Sequence, residues 1–305
     1  MLAALFTTLL FATSAVCGYR TAKQIGGIEA NFWRITLATV FLTVWAWTFG
    51  AGFTGVPEWF MLSGLFGIGF GDSFYFQALP RLGSRRTVLI TQCLTAPFAA
   101  LIEWLWLGNK LNLPEILCVA VILTGVAIAL APGDHLKISA RDWKIGLTAS
   151  LFAALGGALG AVIIRKGYVA IQTAGLSVDA GTTGYQRVLG GILIPTITLM
   201  IFKWRSATAH GGLFERKTLA VSQEKWTPLW PWVLTNALAG QTLGVTCMQW
   251  ALKTTQAGIV TAIIATTPLV LLPMTRIVEG EKIGFRSLAG AVIAVGGVIG
   301  LTFSR

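Results

Sequence analysis

The stretch from Gly67 to Gly125 recurs from Gly240 to Gly297, and both copies lie in almost unbroken apolar sequence. The first copy reads Gly67-Ile68-Gly69-Phe70-Gly71, then Phe76-Gln77-Ala78-Leu79, Ala96-Pro97 and Thr124-Gly125-Val126. The second reads Gly240-Gln241-Thr242-Leu243-Gly244, then Gln249-Trp250-Ala251-Leu252, Thr267-Pro268 and Gly296-Gly297-Val298. Matched residues stand 173 apart at Gly71 and Gly244, 171 at Pro97 and Pro268, and 172 at Gly125 and Gly297. Few insertions separate the copies, so the chain is an internal duplication and folds as two similar units.

The apolar background decides what kind of units these are. Of 305 residues, 55% are hydrophobic and 11% charged, against roughly a quarter charged in soluble domains. Exposing so much apolar surface to water is excluded, which leaves a polytopic membrane protein. A bilayer core of ~30 Å takes about 20 apolar residues per helix. That length places spans near Leu2–Cys17, Phe32–Phe49, Trp59–Leu79, Val88–Leu107, Leu113–Ala131, Ile145–Ile164, Thr183–Phe202, Pro231–Leu252, Ala257–Val278 and Leu288–Phe303. Ten spans divide into units 1–132 and 143–305, the second carrying a polar loop at 205–228. Five spans per unit is odd, so the second unit enters the membrane upside down. The expected fold is all-α, ten transmembrane helices in two inverted five-helix repeats around a central cavity.

A net charge of +11, from 23 basic and 12 acidic residues, raises nucleic acid as a partner. The basic residues sit in short loops between apolar runs, however, which is the pattern that orients membrane helices and attracts anionic headgroups. Arg34 and Arg187 fall inside spans; of the other 21, sixteen lie on one face and five (Lys110, Arg165, Lys166, Lys253 and Arg305) on the other. The excess puts the richer face in the cytoplasm and both termini outside. Leu2–Cys17 reads as a membrane helix and not a leader, because no Lys or Arg precedes it. Cys17, Cys93, Cys118 and Cys247 lie in apolar runs without C-x-x-C spacing, and His135 and His210 stand in loops, so no metal site is expected.

Within the spans, small residues four apart at Gly67/Gly71, Gly156/Gly160, Gly240/Gly244 and Gly296/Gly300 predict close helix packing, or a surface on which helices slide. Pro97 and Pro268 hold matched places and predict kinks that act as hinges or as structure alone. Arg34, Asp72, Glu103, Arg187 and Glu279 are the ionisable residues at depth, where a charge is costly unless paired or hydrated. Asp72 lies fourteen residues beyond Glu58, roughly 21 Å along a helix. It suits proton coupling or a cationic ligand group, or else pairs with Arg34 or Arg187. Each arginine stands near the start of the second helix of its unit, where it either snorkels to headgroups or faces inward to bind a carboxylate or phosphate. Tyr75, Gln77, Gln92, Asn236, Gln241, Gln249 and Trp250 add amides and aromatics that either bridge helices or line a solute cavity. Arg34, Asp72, Tyr75, Gln77, Gln92, Arg187, Asn236, Gln241, Gln249 and Trp250 are thus the candidate substrate-binding residues.

These features resemble the EamA family of the drug/metabolite transporter superfamily. The likeness rests on Ala78-Leu79-Pro80-Arg81-Leu82-Gly83-Ser84-Arg85-Arg86, Ala96-Pro97, Leu107-Gly108-Asn109-Lys110-Leu111 and Gly125-Val126. In the second unit it rests on Ala251-Leu252, Thr267-Pro268, Glu279-Gly280-Glu281-Lys282 and Gly296-Gly297-Val298. Glu281 keeps the family's Leu-Gly-Glu turn glutamate, which Asn109 replaces in the first unit. Arg34 and Arg187 match the family's arginine near the start of each second helix. The resemblance implies a central cavity, alternating access and export of metabolites, amino acids or drug-like compounds, often coupled to protons. It also implies cytoplasmic termini, against the charge count. The expected partners are a small-molecule substrate and the lipid bilayer of a bacterial-type inner membrane, with no nucleic acid and no cofactor, in a monomer or homodimer. A membrane enzyme acting on lipid would need a nucleophile or metal signature, and none of G-x-S-x-G, H-E-x-x-H or a Walker loop occurs. A non-transporting scaffold is the remaining alternative.

Overall fold

The computed structural model describes residues 2–107, 112–130, 138–209, 228–254, 263–280 and 284–303, and all regular structure among them is helical. The helices are α1 (Leu2–Ile25), α2 (Gly27–Thr48), α3 (Pro57–Gly64), α4 (Asp72–Leu82), α5 (Ser84–Leu107), α6 (Leu113–Leu130) and α7 (Ala140–Thr173). They continue as α8 (Ala180–Gly191), α9 (Leu193–Ala209), α10 (Trp230–Asn236), α11 (Leu243–Thr254), α12 (Thr267–Val278) and α13 (Phe285–Phe303). Among the described residues, four stretches, Leu2–Ile25, Ser84–Trp106, Ala140–Thr173 and Ala180–Arg205, are long and apolar enough to cross a membrane, and Leu113–Ala129, Thr267–Val278 and Phe285–Leu301 are shorter apolar helices.

Two π-helical turns interrupt the repeated stretch. Leu65–Gly71 joins α3 to α4, and Ala237–Thr242 joins α10 to α11. They occupy matched positions, since Gly67 and Gly240 stand 173 apart. A π turn carries one residue more per turn than an α-helix and is concentrated at functional sites. The glycines make it possible here, because a wider turn must pass close to its neighbours.

Packing is reciprocal between the units. α1 packs on α11 and α12, and α7 packs on α4 and α5; α2 meets α8, and α6 pairs with α13. The pairs predicted from small residues meet face to face at α7. A Cβ on Gly156 would lie 2.7 Å from the Gly71 Cα, and one on Gly160 would lie 2.9 Å from the Gly67 Cα. Side-chain-free surfaces let these backbones touch. α3 and α8 touch in the same way, since a Cβ on Gly64 would lie 1.7 Å from the Arg187 carbonyl oxygen. At α13, Gly300 packs against the Cys118 sulfur of α6 and its neighbour Gly297 against Ile122 and Cys118, while Gly296 faces open space. Single residues make the corners after α1 and α4, where Gly26 (φ 84°) and Gly83 (φ 82°) adopt a conformation that side chains oppose.

Two expectations need correction. α7 runs for 34 residues, about 51 Å at 1.5 Å per residue, and not over Ile145–Ile164 alone. Ser139 caps its start by accepting the Asp142 amide, and Gly175 (φ 66°) ends it. The matched prolines are not equivalent either. Pro97 lies inside the continuous helix α5, whereas Pro268 opens α12 after a turn at 265–266. Proline fits a first helical turn, where its missing N–H has no partner to lose. The polar loop at 205–228, His135, His210 and the side chain of Glu103 fall wholly or largely outside the described residues.

Candidate functional site

Asp72 is the first residue after the first π turn, so that turn fixes its direction. Its Oδ2 accepts from Arg34 Nη2 at 2.6 Å and from Gln241 Nε2 at 2.6 Å. Gln241 belongs to the second π turn, so one carboxylate oxygen ties α2, the start of α4 and the second π turn together. Arg34 Nη2 also donates to Asn31 Oδ1 at 3.1 Å, and its guanidinium lies 4.7 Å from the centre of the Phe76 ring. The Arg34 side chain is 5% exposed and that of Asp72 is 22% exposed. The arginine therefore faces inward and does not snorkel, and the carboxylate keeps an open side.

That side opens onto a cavity of about 210 Å³ lined by α1, α2, α4, α5, α7, α11, α12 and both π turns. A single water needs ~10–15 Å³ of such volume, so there is room for a small solute. Its polar wall comprises Ser14, Arg34, Asp72, Tyr75, Thr91, Gln92, Thr95, Gln241 and Thr267. Phe11, Val88 and Val245 supply apolar surface, and Gly67, Gly71, Gly157 and Gly240 bring backbone to the edge. Polar groups fixed on several helices beside apolar and backbone surface can orient a small solute. Buried atoms without a partner among the described residues include Arg34 Nε and Gln241 Oε1.

Of the ten residues anticipated from sequence, the cavity gathers Arg34, Asp72, Tyr75, Gln92 and Gln241. Asn236 stands beside it, accepting from the Ser14 hydroxyl at 2.7 Å through Oδ1. Gln77 lines a second hollow of about 210 Å³ between α2, α4 and α9, with Asn31, Phe74 and Thr198. Gln249 is buried and accepts from the Tyr168 hydroxyl at 2.7 Å. Arg187 is buried behind the first π turn, where its Nε donates to Ser63 Oγ at 3.2 Å. Trp250 is set apart: it is 59% exposed on the outer side of α11. Neighbours on a helix point about 100° apart, so burying Gln249 turns Trp250 outward. Thr91 and Thr95 also line the cavity, as do Ser14 and Gly157, which the sequence does not single out. Ser14 sits in a run of small apolar residues, and nothing in the sequence marks which face of α1 looks inward.

Glu279 lies outside the cavity. It follows α12 and accepts from the Ser84 amide at 3.5 Å and from the Ser84 hydroxyl. A carboxylate at a helix start meets unpaired amides and the positive end of the dipole, so Glu279 caps α5 from the other unit. At the opposite end, Asp179 caps α8 by accepting from the Thr182 amide at 2.9 Å and from the Trp45 indole at 3.2 Å. Partial burial works to raise the Asp179 pKa, but the bonds from Thr182, Trp45 and Gly181 outweigh it and hold the group below the usual carboxylate value.

The EamA-like transporter family matches residues 1–131 and 144–303 of the chain, nearly its whole length. The chain belongs to the EamA-like transporter family. It is accordingly a multi-pass integral membrane protein and a transporter of the drug/metabolite type, and members of the EamA-like family are transporters rather than enzymes. Its fold is also that of a solved protein crystal structure, with 14% identity, a TM-score of 0.62 and coverage of 99% of this chain and 96% of the other. No curated protein sequence matches the chain.

Proposed function

We propose that the chain is a secondary transporter that exports a small metabolite, such as an amino acid or drug-like solute, by alternating access around the central cavity. The observation that carries this reading is the Asp72 carboxylate, held at 2.6 Å by a group from each unit and still open to the cavity. A bond that spans two units can only persist in states that keep them in register. Rocking one unit against the other exchanges it for contacts with solute or proton.

The architecture that goes with this reading is ten spans in two inverted repeats, 1–132 and 143–305, in a bacterial-type inner membrane. Reciprocal packing of α1 and α7, matched π turns and the sequence duplication support it. Asp72 serves as the coupling group: its protonation releases Arg34 and Gln241 and loosens the link between units. Arg34, Tyr75, Gln92 and Gln241 contact solute, and the two π turns, with Pro97 and Pro268, absorb the motion.

Counterflow in proteoliposomes tests the reading. Amino acids, organic cations, polyamines and phosphorylated metabolites are loaded separately, and entry of a labelled partner is followed with and without a pH gradient. Exchange of one class that responds to the gradient is the expected result. Silence across the panel from intact, reconstituted protein contradicts it.

A further inference from the structure

The two arginines are alike in their placement and differ in their partners. Each is seven residues into its helix, Arg34 after Gly27 and Arg187 after Ala180 (34 − 27 and 187 − 180). Each is buried, at 4% and 6% exposure. Each reaches across to the matched glycine of the other unit's π turn. A Cβ on Gly240 would stand 3.3 Å from Arg34 Nη1, and one on Gly67 would stand 3.5 Å from Arg187 Nη2.

The equivalence ends there. Arg34 has Asp72 and Gln241 at its tip, and the residues 173 away from these are Val245 and Ile68. The symmetry therefore offers Arg187 two aliphatic side chains where Arg34 has a carboxylate and an amide. Among the described residues no carboxylate pairs with Arg187, and its Nη1 is buried with no hydrogen-bond partner. Asp72 attracts it from beyond ion-pair distance, but the single charge of Asp72 is already matched by Arg34. Among the described residues, Arg34 and Arg187 thus have the Asp72 carboxylate between them. Gln249, which accepts from Tyr168, has a second buried donor, Nε2, without an acceptor. A buried charge left unbalanced in a membrane protein marks a substrate or ion site, and unsatisfied donors select an acceptor.

On this basis, and resting on the transporter reading above, we infer that the transported solute carries an oxyanion, a carboxylate or phosphate, for which Arg187 is the counter-ion. Gly67 lies both on the cavity wall and against Arg187 Nη2, so the first π turn at that glycine is what stands between the cavity and the arginine. A planar guanidinium with free donors matches the geometry of both oxyanions.

The test is counterflow with matched pairs that differ only in the anionic group: amino acids against their amides, short carboxylic acids against theirs, and a sugar phosphate against the free sugar. The wild-type chain should exchange the anionic member of one pair at least about tenfold faster than its neutral partner. Arg187→Gln should level that ratio, and Arg187→Lys, which keeps the charge, should retain part of it. Gly67→Ala leaves the arginine in place and meets only ordinary contacts of 3.5 Å or more. It should cut the ratio by setting a methyl against Arg187 Nη2 on the cavity side, whatever the folding of the other variants. Equal exchange of both members of each pair, or a ratio unchanged in all three variants, overturns the inference while the transporter reading stands. No exchange of any member removes the transporter reading as well.

Discussion

Replacing Asp72 by Asn removes one charge and almost no volume, so it isolates what the carboxylate does. Asn retains an oxygen that can accept from Arg34 and Gln241, which now approach Oδ2 at 2.6 Å each. What is lost is the charge assistance. Hydrogen bonds to charged groups contribute ~1.5–3 kcal/mol against ~0.5–1.5 for neutral ones, so two bonds lose about 2 kcal/mol together. The buried Arg34 guanidinium also loses its counter-ion. Removing one member of a fully buried pair costs about 3–5 kcal/mol, but the Asp72 side chain is 22% exposed to a cavity that admits water, which lowers that figure. We expect Asp72→Asn to lower stability against denaturation in detergent by about 2–3 kcal/mol, and Asp72→Ala by more, because it also removes the acceptor.

The functional effect is sharper. An amide has no proton to exchange, so solute movement driven by a pH gradient should vanish in Asp72→Asn proteoliposomes, while solute-for-solute counterflow persists at reduced rate. The assay is uptake of labelled solute with and without an imposed gradient, run beside counterflow on the same vesicles. Gradient-driven movement in the mutant equal to wild type would refute the assignment of Asp72 as the coupling group and leave it a structural ion pair.

Three further outcomes follow from the packing. Gly160→Ala places a Cβ 2.9 Å from the Gly67 Cα, with backbone on both sides; thermal unfolding should show about 1–3 kcal/mol of destabilisation. Asp179→Ala removes the α8 cap and should cost about 1 kcal/mol. Because the folded Asp179 pKa is lowered, its contribution is present above the unfolded value and lost as pH falls through the folded value. Wild type and mutant should then converge in melting temperature in acid. Trp250→Ala, on the outer face of α11, should leave counterflow kinetics unchanged, and a loss beyond threefold would return Trp250 to the solute path.

Much of this was legible in the sequence because duplication and hydropathy act over whole helices. The small-residue pairs at Gly67/Gly71 and Gly156/Gly160 not only predicted contact but meet each other. Asp72 and Arg34 stood out as charges at depth, and depth is readable from a count of residues. The π turns were not read, although Gly67-x-Gly69-x-Gly71 marks the first. A one-residue change in helical register leaves hydropathy untouched. Facing was the weakest reading, as Trp250 shows: apolar and aromatic residues suit lipid and cavity alike, and in a membrane helix polarity alone does not tell inside from outside. The asymmetry of Arg187 was hidden for a related reason, since it lies in what Ile68 and Val245 lack.

Alternating access is most directly tested by reaching the cavity from each side of the membrane. Cys17, Cys93, Cys118 and Cys247 are replaced by Ala or Ser, a single cysteine is placed at Gln92 on the cavity wall, and an impermeant thiol reagent is applied to one side at a time. Labelling from both sides, in a ratio that shifts with the pH gradient and loses that response in Asp72→Asn, is the predicted result. Labelling from one side only, under every gradient, would contradict a transporter that works by turning this cavity from one face of the membrane to the other.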